Sequence, residues 1–213
     1  MDEHFNWHRR TLLELAAKAF EKNGFGAHVF NSVEEAVPFL MEQTAEAQTV
    51  GFGGSMTLAE MGLPARCEEA GKKTLVHGRP GLTAEQKREV MGEEQRCDLF
   101  FTGTNAMTLQ GQLVNIDAVG NRVCAMAFGP KRVIVVAGVN KITHDLHSAL
   151  RRVKDIASPP NARRLNLKTP CASTGLCSDC NSPDRICRIT TIIDRAPRLT
   201  DIQVCLINAD LGY

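Results

Sequence analysis

Aromatic side chains are scarce in this chain, which has one Trp, one Tyr and nine Phe among 213 residues. Reading nucleic acid by stacking requires aromatics interleaved with cations. The basic run Arg151, Arg152, Lys154, Arg163, Arg164 and Lys168 has none among its members, so it does not mark a nucleic-acid partner. An excess of charge of either sign is missing too, with 25 Lys and Arg against 24 Asp and Glu. Without a global field, any anion site has to be built locally. No run of eighteen consecutive apolar residues occurs, and the N-terminal MDEHFNWHRR is charged where a secretory leader needs an apolar stretch. The expectation is a cytoplasmic protein with no membrane partner. Nor is there length for two ordinary domains, so residues 1–213 are expected to form a single domain with a small appendage.

What the chain does have is an alternation of strand-like and helix-like segments. Leu12, Leu13, Leu15, Ala16, Ala19 and Phe20 follow the helical period between Asn6 and Lys22, and Asn23-Gly24 supplies the stop. HVFN reads as a strand. Ser32 with Glu35 opens a helix over Val33–Gln43 as a capping box, with Pro38 marking a kink or a late start. TVGF, TLV, DLFF and the final IQVCLIN read as strands, and Ser55 and Thr83 as helix caps. QLVNID and NRVCAMA look like the arms of a β-hairpin turning at Gly120-Asn121. RVIVVAG is aliphatic throughout, as in a central parallel strand covered on both faces. The helix THDLHSALRRVKDIA carries Leu146, Ala149, Leu150, Val153 and Ile156 on one face and is expected to end at Ser158-Pro159-Pro160. This order predicts an α/β fold with a mostly parallel, helix-covered sheet.

Eight cysteines are many for a cytoplasmic chain, where disulfides are rare. Cys67, Cys97, Cys124 and Cys205 fall in apolar segments and read as small buried side chains. The other four crowd into PCASTGLCSDCNSPDRIC as Cys171, Cys177, Cys180 and Cys187, with gaps of five, two and six residues. Residues 159–188 lose hydrophobic periodicity and read as an irregular loop or knuckle. A tetrathiolate centre would supply the folding free energy that such a segment lacks. Cys177-x-x-Cys180 is a bite used by zinc and by iron-sulfur centres. Zinc ribbons usually show two such pairs across a longer spacer, so the irregular gaps favour a [4Fe-4S] cluster, with zinc as the alternative and a Cys177–Cys180 redox pair as the metal-free reading. Arg185, Arg188 and Lys168 would offset the thiolate charge, and Ser173, Thr174, Ser178 and Ser182 would donate to sulfur. His144 and His147, three apart on a helix, lack an acidic partner and read as solvent-facing or hydrogen-bonded histidines.

Three segments stand at the carboxyl ends of strands, where open α/β sheets bind ligands. GFGGSMT, residues 51–57, joins a strand to a capped helix through a glycine turn able to aim backbone N–H groups at an anion. It is neither a dinucleotide fingerprint nor a P-loop, since no Lys follows. TGTNAMTLQGQLVN, residues 102–115, is rich in Thr, Asn and Gly, and GVNK, residues 138–141, ends on a lysine that could meet a carboxylate or phosphate. Jointly they predict a small-molecule crevice.

GFGGSMT, TGTNAMT, GQLVNIDAVGNRV, FGPKRVIVVAGVNKI and the terminal LGY, taken in order over about residues 10–213, resemble the LUD domain family. That lactate-utilisation group includes the C subunit of a bacterial lactate-oxidising complex and the YkgG proteins. The resemblance implies a fold similar to the NagB, ribose-phosphate isomerase and CoA-transferase class, a Rossmann-like α/β sandwich with a β-hairpin excursion. It also implies a part in oxidising L-lactate to pyruvate alongside iron-sulfur redox partner proteins. The cysteine segment departs from the usual complex subunit and marks a shorter, stand-alone branch. Finally, the resemblance implies a ligand site drawing on Gly53, Gly54 and Ser55, on Thr102, Gly103, Thr104 and Asn105, and on Asn115 and Lys141.

Residues and resemblance together lead to an α/β protein that binds a small carboxylate or phosphorylated ligand and carries a Cys-ligated metal centre. Its expected work is organic-acid oxidation or electron transfer, as a monomer or a homo-oligomer. Asp117 and Glu60 are the candidates for a general base. The alternatives are a non-enzymatic ligand-sensing or assembly module stapled by zinc, and an isomerase or transferase using the same crevice.

Overall fold

The structure is a computed structural model that describes residues 2–213. Its strands are β1 (Gly26–Phe30), β2 (Thr49–Phe52), β3 (Lys73–Leu75), β4 (Leu99–Thr102), β5 (Ala106–Thr108), β6 (Leu113–Asp117), β7 (Arg132–Gly138), β8 (Ile142–Thr143), β9 (Ile189–Ile193) and β10 (Asp201–Ile207). The helices are α1 (Glu3–Lys22), α2 (Val33–Glu42), α3 (Met56–Glu60), α4 (Leu63–Glu69), α5 (Ala84–Glu94), α6 (Asn121–Ala127), α7 (Leu146–Arg152), α8 (Ser158–Arg164) and α9 (Pro170–Thr174).

Six strands form a wholly parallel sheet in the order β1-β10-β7-β4-β2-β3. Parallel neighbours need crossovers, and the helices that make them cover both faces. The strand RVIVVAG shows why it is aliphatic at successive positions. Val133, Val135 and Ala137 enter one core with Leu13 and Phe20 of α1 and Met126 of α6. Ile134 and Val136 enter the other with Leu40 of α2, Leu58 of α3 and Leu63 of α4. The result is a Rossmann-like α/β fold. Among the described residues no helix is long and apolar enough to cross a membrane.

A second sheet, β8-β5-β6-β9, stands apart from the first. Its β5–β6 hairpin packs on α7 through Ala106, Val114, Ile116, Ala149 and Val153, with Cys187 at the margin of that cluster. The hairpin excursion therefore exists, but one element earlier than the sequence suggests. NRVCAMA is not a strand: it is α6, which buries Val123, Ala125 and Met126 and leaves Cys124 exposed. Asp117 decides the matter by accepting from the Val123 backbone N–H at 3.1 Å, which satisfies the new helix start.

The second correction lies at Ser158-Pro159-Pro160. The chain does not stop there, because residues Val153–Ala157 widen into a π turn and α8 follows directly. Ser158 Oγ donates to the Val153 carbonyl at 2.7 Å inside the widened turn, and the prolines fall in the first turn of α8, where their missing N–H groups cost nothing. Ile156 consequently faces solvent. Residues 159–188 thus carry the rest of α8 and all of α9, and the backbone is irregular over 165–169 and 175–188.

Candidate functional site

A cleft of about 370 Å³ opens beyond the carboxyl ends of β2, β4 and β7, a size suited to a small ligand. Gly53, Gly54, Ser55, Gly103, Thr104, Asn105 and Lys141 line it. Thr102 and Asn115 do not, and support the wall from behind. The Thr102 hydroxyl donates to the Gly103 carbonyl at 3.0 Å, and Asn115 Oδ1 accepts from the Asn105 N–H at 3.1 Å. Asn115 Nδ2 is buried without a hydrogen-bond partner.

The glycine turn works by leaving room more than by donating. Gly53 N–H is already spent on the Phe101 carbonyl at 3.0 Å. A side chain at Gly53 would lie 2.9 Å from Thr102 Oγ1 and 3.0 Å from Arg122 Cγ, while Gly54 sits at φ +67°, where glycine is the easy choice. Helix α3 that follows is a single turn, and Ser55 makes no side-chain capping bond.

Arg122, which sequence reasoning did not single out, organises one wall. Its guanidinium donates to Asp117 Oδ1 at 2.6 and 3.0 Å, to Asn105 Oδ1 at 2.8 Å and to the Ile116 carbonyl at 3.0 Å. Asp117 is therefore committed on both oxygens, to Arg122 and to Val123, and is poorly placed to act as a base. Glu60 is outside the cleft and accepts from Gly212 N–H at 2.8 Å.

Lys141 is 4% exposed, and its ammonium donates to Thr57 Oγ1 at 2.8 Å. Burial, with the positive Arg152 and Arg122 nearby and only Glu60 opposing, lowers its pKa from 10.5 to about 7. An incoming anion would supply the charge partner this ammonium lacks.

His77 and Glu94 form a pair that sequence reasoning missed. Glu94, fully buried at the end of α5, faces the His77 Nδ1 at 2.7 Å and accepts from the His77 backbone N–H at 3.2 Å. The opposite ring edge lines the cleft: a Cβ placed on Gly54 would lie 3.2 Å from His77 Nε2. The signal was an acid in the last turn of a helix, where the dipole disfavours it.

The four clustered cysteines line one small cavity together with Lys154, Ser158, Thr169, Asp179, Arg185 and Ile186. Arg185 ties the cavity together, donating to the carbonyls of Cys180 and of Cys187, the latter at 2.8 Å, and to Asp179 at 2.7 Å. Cys187 Sγ lies 3.3 Å from Ser158 Oγ and Cys171 Sγ 3.4 Å from Thr169 Oγ1. Burial pushes the Cys187 thiol up and Ser158 pulls it back, while Cys177 and Cys171 raise it and Arg185 lowers it. The hydroxyls within hydrogen-bond reach of a sulfur are thus Ser158 and Thr169, and Ser178, one of those expected, also lines the cavity. Thr174 and Ser182 instead donate to the Pro170 and Lys168 carbonyls, and the Arg188 guanidinium to those of Arg185 and Pro183.

Among the described residues, no three His, Cys, Asp or Glu side chains stand close enough to hold a single ion. His144 and His147 are both exposed, and His144 faces Asp145 at 3.7 Å. Cys67, Cys97 and Cys205 are buried among apolar groups, which raises their thiol pKa values, to about 11 for Cys67 and about 12 for Cys97.

Cavity and cleft share a wall. Ile186 lines both, while the π turn and α8 present Lys154 and Ser158 to the thiols and Ala157 and Asn161 to the cleft.

The family model of the LUD domain matches residues 13–207. The chain belongs to the LUD domain family. Among solved structures, this LUD chain is similar to a DUF162 family protein from Deinococcus radiodurans, with a TM-score of 0.50 and 15% sequence identity. The match covers 93% of the LUD chain and 98% of that protein, and at this identity it speaks for the fold alone. No curated protein matches the chain.

Proposed function

We propose that this LUD protein binds a small carboxylate in the cleft and a metal centre on Cys171, Cys177, Cys180 and Cys187, and serves organic-acid oxidation of the lactate-utilisation type. The observation that carries the reading is the shared wall at Ile186, which sets four thiols beside a cleft whose buried lysine lacks a charge partner. The donor set fits an iron-sulfur cluster. Four thiols lining one cavity are the donor type such clusters use, and Arg185 stands ready to offset thiolate charge. Such a cluster, when bound, supplies one-electron transfer. The chain's own residues do the rest. Lys141 neutralises the anion, Ser55 and Asn105 offer it hydrogen bonds, and the Arg122 fork keeps Asn105 in place. Electrons leave to a redox partner protein.

The test is the ultraviolet-visible spectrum and metal content of protein purified without oxygen. Broad iron-sulfide charge-transfer absorbance, with iron and sulfide in stoichiometric amount and lost in Cys177→Ser/Cys180→Ser, is expected. A colourless protein with one tightly held zinc would replace this reading with a structural staple.

A further inference from the structure

The edge of a sheet can recruit a further strand, and folds usually guard it by shortness or by charge. Strand β3 is guarded in this way, with three residues and Lys73 at its start, and β8 has only two residues. Strand β9 is not. It closes the second sheet, pairs with β6 through all five of its residues, and among the described residues has no strand on its other side. Its sequence ITTII is β-branched throughout and uncharged, with Ile189 37% and Ile192 39% exposed. Alternate residues of an antiparallel ladder turn their N–H and C=O groups to one neighbour, so half of the β9 backbone groups face away from β6.

The segment RITTIID, residues 188–194, is its own complement about Thr191. Where two copies run antiparallel across a two-fold axis at Thr191, Arg188 stands opposite Asp194, Ile189 opposite Ile193, and Thr190 opposite Ile192. Both charged side chains are exposed, and among the described residues neither has an ionic partner: the Arg188 guanidinium donates to the Arg185 and Pro183 carbonyls, and Asp194 accepts from the Gln112 amide. Thr191 meets Thr191 at the axis. Its Oγ1 is buried without a hydrogen-bond partner in the single chain, and facing threonines are a cross-strand pair able to exchange one. Strand β1, the other five-residue edge, offers no such match, since centring it on His28 sets Gly26 against Phe30 and Phe25 against Asn31.

We propose that β9 is the self-association edge of this protein, joining its four-stranded sheet to that of a second copy by antiparallel β9 pairing about Thr191. The pairing uses the same patch on both copies, so it closes at a dimer.

The experiment is sedimentation equilibrium of the full chain, purified without oxygen and kept in reductant so that thiols cannot cross-link. A species of twice the 23.3 kDa chain mass is expected at micromolar concentration. Arg188→Asp sets carboxylate against carboxylate at both ends of the pair, and Asp194→Arg sets cation against cation. Each variant alone should dimerise at least about tenfold more weakly, while an equimolar mixture of the two restores opposite charges and should return to within a few-fold of the wild type. Hydrogen exchange of the wild type needs no variant: the β9 amides should exchange more slowly as chain concentration rises. A dimer unaffected by either substitution would place the interface elsewhere, and a mixture no tighter than its components would break the register; either result overturns the proposal. So would a wild-type monomer whose β9 amides exchange at one rate at every concentration, which would leave the edge to a strand of a different protein.

Discussion

Replacing Lys141 with methionine is expected to stabilise the fold while removing anion binding, and the size of the gain can be worked from its surroundings. The side chain ionises near pH 7 in the folded protein, against 10.5 when solvated. At about 1.4 kcal/mol per pH unit, holding the buried ammonium costs on the order of 5 kcal/mol wherever both states are protonated, that is, below about pH 7. Between pH 7 and 10.5 the unfolded chain binds the extra proton, so wild-type stability rises with pH across that window and the cost vanishes above it. Methionine fills a similar volume without charge and forfeits the bond to Thr57, worth about 1 kcal/mol. The net gain is then about 4 kcal/mol at pH 6 and about 1 kcal/mol at pH 9. At roughly 2–4 °C per kcal/mol for a chain of this length, melting by circular dichroism should rise by about 8–16 °C at pH 6 and far less at pH 9. A loss of stability at pH 6, or an equal shift at both pH values, would refute the reasoning. A gain in stability at the expense of binding is the expected mark of a functional charge.

Two other substitutions probe the frame around the cleft. Arg122→Ala leaves Asp117 and Asn105 without their shared donor in a place where the Arg122 and Asp117 side chains are only 12% and 9% exposed, so urea unfolding should show a loss of about 3–5 kcal/mol; a loss below 1 kcal/mol would mean water replaces the guanidinium. Gly111→Ala puts a methyl 2.6 Å from the Ala19 carbonyl of α1 at φ +77°, so the β5–β6 turn must lift away from α1. Faster amide exchange at the end of α1 and a lower urea midpoint, by roughly 2 kcal/mol, are expected.

The parallel sheet was legible because burial on both faces demands uninterrupted apolar strands, and RVIVVAG and IQVCLIN meet that demand at every central position. The helix starts at Ser32 and Thr83 were legible because capping is a local bond: Ser32 accepts from Glu35 N–H at 3.3 Å and Thr83 from Gln86 N–H at 3.2 Å. NRVCAMA was not, since its short apolar run Val123–Ala127 satisfies a buried strand or a buried helix equally well and the choice rests on Asp117 across a turn. The prolines after Ser158 misled for a related reason, because the π turn that admits them depends on a side-chain bond the pattern does not display. In the cleft, the strand-end glycines and Lys141 carried recognisable chemistry in their own segments. Arg122 and the His77–Glu94 pair did not, because their meaning arises from partners brought together by the sheet order.

Ile186 sits between the residue whose guanidinium braces the thiol cavity and the last of the four cysteines, and its side chain also lines the cleft. A linker one residue long leaves little slack, so whatever tightens the cysteine lobe also trims the space in which a ligand must lie. By linkage the debt runs both ways: a ligand that favours the tightened lobe strengthens whatever the sulfurs grip, by the same factor.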